Sequence, residues 1–203
     1  MPVRSVDQFK ADVGAHFADF VVELDAACAE FLEKTRDIAP RLETRTKAGI
    51  VRDLAARRML EFCGRTKGAE FIRRGNLGVI GLANNWVLRL KKVADGFKVA
   101  VSPTGASEQY NRNELPASLN GTLLAEPPAT CLYLAWAVPE NAPHRIEKYV
   151  ICNNGFGAVA WVLPLDEFSP PPAEQLPFGK PSEPDPGERR VRIKTDRKRK
   201  ANE

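Results

Sequence analysis

The spacing of apolar residues changes once along this chain, from about 3.6 residues to 2, and the change falls near Gly75. Helices therefore come first and strands second, which is the order of an α+β fold. At the start, Ser5 followed three residues later by Gln8 forms a capping box. Phe9, Val13, Phe17, Phe20, Val21, Leu24, Cys28, Phe31 and Leu32 then recur at intervals of three and four. This predicts one amphipathic helix from Ser5 to about Lys34, or two in line if Gly14 bends it. Pro40 closes the element, and a second helix is expected from about Thr44 to Phe62, with Gly64 as its stop. A short connector makes the two helices antiparallel neighbours.

Beyond Gly75, Trp86, Leu88 and Leu90 alternate with Val87, Arg89 and Lys91, and Phe97, Val99 and Val101 alternate with Lys98 and Ala100. With Asp95-Gly96 between them, these segments predict a β-hairpin with one apolar and one basic face. Ser102 to Pro116 reads as a loop with a helical turn near Ser107 to Arg112, and Leu119 to Ala125 as a short strand. Three more strands are expected at Cys131 to Val138, Ile146 to Cys152 and Ala158 to Leu163, forming an antiparallel meander. The last two are apolar on both faces, so each side of the sheet needs a cover, and the amino-terminal helices are the available one. From Ser169 to Gly187, seven of 19 residues are proline, which favours an extended, solvated chain.

The expected organisation is thus a helical part, 1–75, packed on a mostly antiparallel sheet part of the same domain, 76–168. A disordered proline-rich linker and basic tail, 169–203, follow. With 43% hydrophobic residues in 203, such a chain can bury a core. No apolar run approaches the roughly 20 residues that cross a bilayer. Met1 to Lys10 lacks an apolar stretch of signal-peptide type, so the expectation is a cytoplasmic protein without membrane attachment.

The net charge of +4 is unevenly placed. Glu188 to Glu203 holds 8 basic residues against 3 acidic ones, whereas the other 187 residues hold 22 basic and 23 acidic. The basic side chains of this end, Arg189, Arg190, Arg192, Lys194, Arg197, Lys198, Arg199 and Lys200, would attract a polyanion or an acidic protein surface. Arg89, Lys91 and Lys98 on the hairpin's basic face could track a phosphate backbone, with Arg112 or Tyr110 close by. A solvated strand face would carry the same residues.

Other chemistries have weaker support. Cys28, Cys63, Cys131 and Cys152 show no C-x-x-C spacing and sit among apolar neighbours, as small buried hydrophobes do. Phosphate-loop, dinucleotide, zinc-protease, nucleophile-elbow and deaminase motifs are missing, and no cofactor or metal is implied. His144, Arg145 and Glu147, or Glu140, have the side-chain types for metal-independent RNA cleavage: an acid, an imidazole and an arginine for the phosphate. His16, between apolar positions of the first helix, reads as a packing residue.

Gln175-Leu176-Pro177-Phe178 resembles the short glutamine-leucine-aromatic peptides by which bacterial proteins dock on the DNA sliding clamp, with proline placed before the aromatic. The layout as a whole has the look of small accessory proteins of bacterial phages and mobile elements. The leading expectation is a non-enzymatic binding protein associated with nucleic acid or a nucleic-acid machine. A small toxin-like ribonuclease and a protein-binding inhibitor or antitoxin are the alternatives.

Overall fold

The computed structural model describes residues 3–75, 77–119, 128–138 and 146–169. Helix α1 (Val6–Val13) starts at Ser5, whose hydroxyl accepts from the Gln8 amide at 3.2 Å while the Gln8 side chain accepts from the Ser5 amide at 3.0 Å. The capping box therefore forms as the spacing predicts. A 3-10 turn, Gly14–His16, separates α1 from α2 (Phe17–Thr35), so the helix is divided at Gly14. Helix α3 (Thr44–Arg65) runs through Gly64, one residue past the expected stop, because Thr66 is the first to turn extended. Glu30 meets Arg57 and Arg58 while Glu23 meets Arg58 and Arg65, the falling-against-rising pairing of an antiparallel helical pair.

Six strands form one sheet whose spatial order follows the sequence: β1 (Glu70–Arg74), β2 (Leu77–Leu82), β3 (Trp86–Lys92), β4 (Thr130–Ala137), β5 (Glu147–Asn153) and β6 (Val159–Pro164). Two three-stranded antiparallel meanders lie side by side. They join through one parallel pair, β3 with β4, in which Trp86 faces Thr130 and Lys92 faces Trp136.

This topology corrects two expectations and leaves most of a third outside the described residues. The sheet begins at Glu70, inside the part predicted to be helical to residue 75, because β1 and β2 form a hairpin with Gly75 at φ +57°. The predicted hairpin at Asp95-Gly96 does not form a ladder. Phe97 turns to φ +59° and packs on the Tyr149 ring at 5.0 Å, leaving a single bridge between Val93 and Val99, and β3 pairs with β4 instead. Leu119 ends a 3-10 turn, Ala117–Leu119, and the rest of the strand expected there lies outside the described residues.

A parallel pair needs a long crossover, and here that crossover covers the sheet. It carries helix α4 (Gly105–Asn111), and Val93, Tyr110 and Leu119 from it pack on Val87, Cys131, Tyr133 and Ile151. The opposite face takes α1 to α3, with Phe9, Phe20, Leu24, Met59 and Phe62 against Trp86, Leu88, Leu134 and Val150. Each such side chain, fully buried, contributes about 1.5–3 kcal/mol. The sheet is thus covered on both faces, but only one cover is the amino-terminal helices.

Tyr110 fixes the second cover, since its hydroxyl lies 2.8 Å from the carbonyls of both Val87 and Leu132 and shares its one proton between them across the parallel seam. Cys131 and Cys152 are free and buried on opposite faces, and burial pushes both thiols up to about 12. His16 is half-buried against the Phe62 ring at 5.5 Å, the packing role its position predicts.

Candidate anion-binding cleft

Arginine is spaced along α3 so that Arg45, Arg52 and Arg57 share one exposed stripe with Ala56 and Leu60. On β1, alternation sends Arg73 to the helix-covered face beside Phe71, and Arg74 to the other face beside Ile72. On β3 it sends Leu88 and Leu90 into the helix-side core and Arg89 and Lys91 to the α4 side. These side chains converge where β1 turns into β2 and β3 ends. They line a cleft of about 970 Å³ that passes over the end of the sheet from α3 to the start of α4.

Its charge is one-sided. Arg45, Arg52, Arg57, Arg73, Arg74, Arg89 and Lys91 line it, and among the described residues that line it Asp53 is the one acid. Asp53 is taken by Arg52 at 2.7 Å, and Arg57 reaches out to Glu30 at 2.7 Å. Among the described residues, no carboxylate pairs with Arg45, Arg73, Arg74, Arg89 or Lys91. Arg89 donates to the Ser107 hydroxyl at 3.3 Å, and its guanidinium lies 5.8 Å from the Tyr110 ring centroid. Hydroxyls of Ser102, Thr104 and Ser118 complete the α4 side.

Two lysines of the sheet set the electrostatics in contrast. Lys148 on β5 is buried and held by Asp25 at 2.7 Å and Asp166 at 2.9 Å. Burial pulls its pKa down, the two carboxylates outweigh that pull, and the net shift is upward. Among the described residues, Lys91 donates to the Ala100 carbonyl, at 3.1 Å, and meets no carboxylate. Burial, then Arg89, then Arg52, bring its pKa down to about 8. A cation in that position gains from any anion that enters.

Of the residues expected from the sequence to bind nucleic acid, Arg89 and Lys91 line this cleft. Lys98 is exposed on the turn before Val99, apart from the cleft lining, because the hairpin that would have aligned it with Lys91 is not made. Arg112 caps the far end of α4. Glu147 opens β5 and accepts from the Tyr149 hydroxyl at 2.7 Å. His144 and Arg145, with Glu140, lie outside the described residues, as do Arg189 to Lys200 and Gln175 to Phe178.

Arg45, Arg52, Arg57, Arg73 and Arg74 were not singled out by sequence reasoning, although a signal existed. Thr44 to Lys92 holds 12 basic residues against 3 acidic ones, a bias hidden when charge is compared only between the body and its end. Among the described residues, no group of three or more His, Cys, Asp or Glu side chains is placed to hold a metal ion, and no helix is long and apolar enough to cross a membrane. Comparison with protein-family models, with curated proteins and with solved structures found no match.

Proposed function

We propose that this chain is a non-enzymatic binding protein that holds nucleic acid by its phosphates in the cleft between α3 and α4. The observation that carries this reading is that five of the cations lining a concave site, Arg45, Arg73, Arg74, Arg89 and Lys91, have no carboxylate partner among the described residues. Charges kept unpaired in a cleft are destabilising to the free protein and are relieved by a polyanion, whose counterions are released on binding. The basic end, Arg189 to Lys200, carries charge of the same sign as the cleft. It adds a second, sequence-independent contact to the same ligand.

The test is fluorescence anisotropy with labelled single- and double-stranded nucleic acid at several salt concentrations. The log of affinity should fall linearly with the log of salt. Arg73→Ala with Arg74→Ala should flatten that slope by about 2, close to one for each phosphate left without its arginine. Removal of residues 188–203 should flatten it further while leaving binding measurable. Salt-independent binding, or none, would reject the reading.

A further inference from the structure

The cleft is not lined by charge alone. On its α3 side the stripe Arg52, Ala56, Leu60 runs at intervals of four, and Leu60 stands 54% exposed. Facing it across the sheet end, Phe71 is half-buried beside Arg73. The ring lies beside Gly78, where a Cβ would be in ordinary van der Waals contact with Phe71 Cζ at 3.5 Å, so the ring is seated against β2. The apolar wall of Ala56, Leu60 and Phe71 is flanked by Arg52, Arg57 and Arg73.

A ligand made only of phosphates could satisfy the arginines and would leave that wall wet. A duplex offers phosphates outward and keeps its base faces stacked inside, so it also has nothing flat to present. A single strand offers both at the spacing of one nucleotide: an anionic backbone and an unstacked base with an apolar face. From this juxtaposition we propose that the cleft is a single-strand site, with a base laid against Phe71 and Leu60 while its flanking phosphates meet Arg52, Arg73 and Arg74. The proposal rests on the polyanion reading above and narrows it.

The experiment uses the full chain and four probes of equal charge: a labelled single-stranded pyrimidine oligonucleotide, its abasic counterpart, a duplex at matched phosphate concentration, and inorganic polyphosphate as competitor. The base-bearing strand should bind about fivefold or more tightly than the abasic strand, the worth of one stacked base. Phe71→Leu keeps an apolar side chain and should erase that preference, Phe71→Trp should restore it, and the exposed Leu60→Ser should weaken it. Thermal unfolding of each variant verifies the fold. Equal affinity for base-bearing and abasic strands, a preference for duplex, displacement by polyphosphate as efficient as by oligonucleotide, or indifference to Phe71→Leu in a folded variant would each overturn the single-strand site and leave the polyanion reading intact. Absence of salt-dependent binding to all four probes would remove both.

Discussion

The guanidinium of Arg4 lies 3.6 Å from the centroid of the Trp86 ring, the residue that opens the parallel seam opposite Thr130. The same guanidinium donates to Thr130 Oγ1 at 2.7 Å and to the carbonyls of Asn84 at 2.6 Å and Asn85 at 3.1 Å. The Arg4 carbonyl in turn accepts from the Trp161 indole at 2.9 Å, while the Trp86 indole donates to Asp12 at 2.8 Å. One residue ahead of α1, through its side chain to Trp86 and Thr130 and its backbone carbonyl to Trp161, thus ties β3, β4 and β6 to the helical layer.

Arg4→Met keeps the aliphatic stem and removes the stacking and the side-chain hydrogen bonds. Stacking together with hydrogen bonds to partly buried acceptors amounts to about 2–3 kcal/mol. At the rate expected for a chain of this size the melting temperature should fall by about 5–10 °C. A change within about 0.5 kcal/mol in denaturant titration would mean the clamp holds nothing.

Glu30 joins α2 to α3 through Lys34, Arg57 and Arg58, and its carboxyl is brought down to about 2, chiefly by Lys34, against burial and with help from the two arginines. A carboxyl lowered on folding stabilises above its unfolded pKa, near 4.5, and that contribution is lost as pH falls from there toward 2. Wild type and Glu30→Gln should therefore differ most in urea midpoint near pH 6, and the difference should shrink below pH 4.5 and close only as pH approaches 2. A pH-independent difference would show that the carboxylate's charge is not what the helices use.

Lys91 gives two pH dependences of opposite sign. With the folded pKa at about 8 and the ordinary value at 10.5, the unfolded chain holds this proton more tightly, so the residue's contribution to stability rises as pH climbs between those values. Polyanion binding works the other way: it needs the lysine charged, so affinity should be flat below pH 8 and decline above it. Lys91→Arg, which stays protonated, should hold affinity level to pH 10. If the wild-type affinity shows no decline across that window, Lys91 does not face the bound anion.

Gly157, in the turn between β5 and β6, has φ +79°, and a Cβ there would sit 2.6 Å from Asn111 Nδ2. Asn111 cannot move freely, because its Oδ1 accepts from Asn153 at 2.8 Å and from the Tyr133 hydroxyl at 3.3 Å. Gly157→Ala should cost about 2 kcal/mol from backbone strain and the displaced amide. Gly155→Ala, whose Cβ would come no nearer than 4.0 Å to the Arg112 carbonyl, should stay within about 0.5 kcal/mol. Equal effects in thermal melts would discard the steric account.

Local patterns were readable where a segment's partners lie nearby in sequence. Ser5 with Gln8, the stripe from Phe9 to Phe31, and the last three strands follow from spacing and capping alone. Strand β1 was obscured because Glu70, Arg73 and Arg74 keep an edge strand polar, which leaves too few apolar positions to establish a period. The hairpin at Asp95-Gly96 was a sound local preference that lost to tertiary contacts: the Val93 amide donates to the Trp136 carbonyl at 2.9 Å, and Phe97 prefers the Tyr149 ring to a ladder. The cleft was half legible, since Arg89 and Lys91 stand out on β3. The arginines of α3 and β1 acquire meaning only once the sheet end brings three elements together.

The parallel seam also orders events during synthesis. Trp86–Lys92 leaves the ribosome well before Thr130–Ala137, and at about 5–20 residues per second that interval lasts seconds. For that time β3 is an edge strand whose backbone N–H and C=O groups still lack β4 and could pair with a neighbouring polypeptide. Translation must outrun that encounter, so slowing of codons between residues 93 and 129 would raise the share of product lost to inclusion bodies.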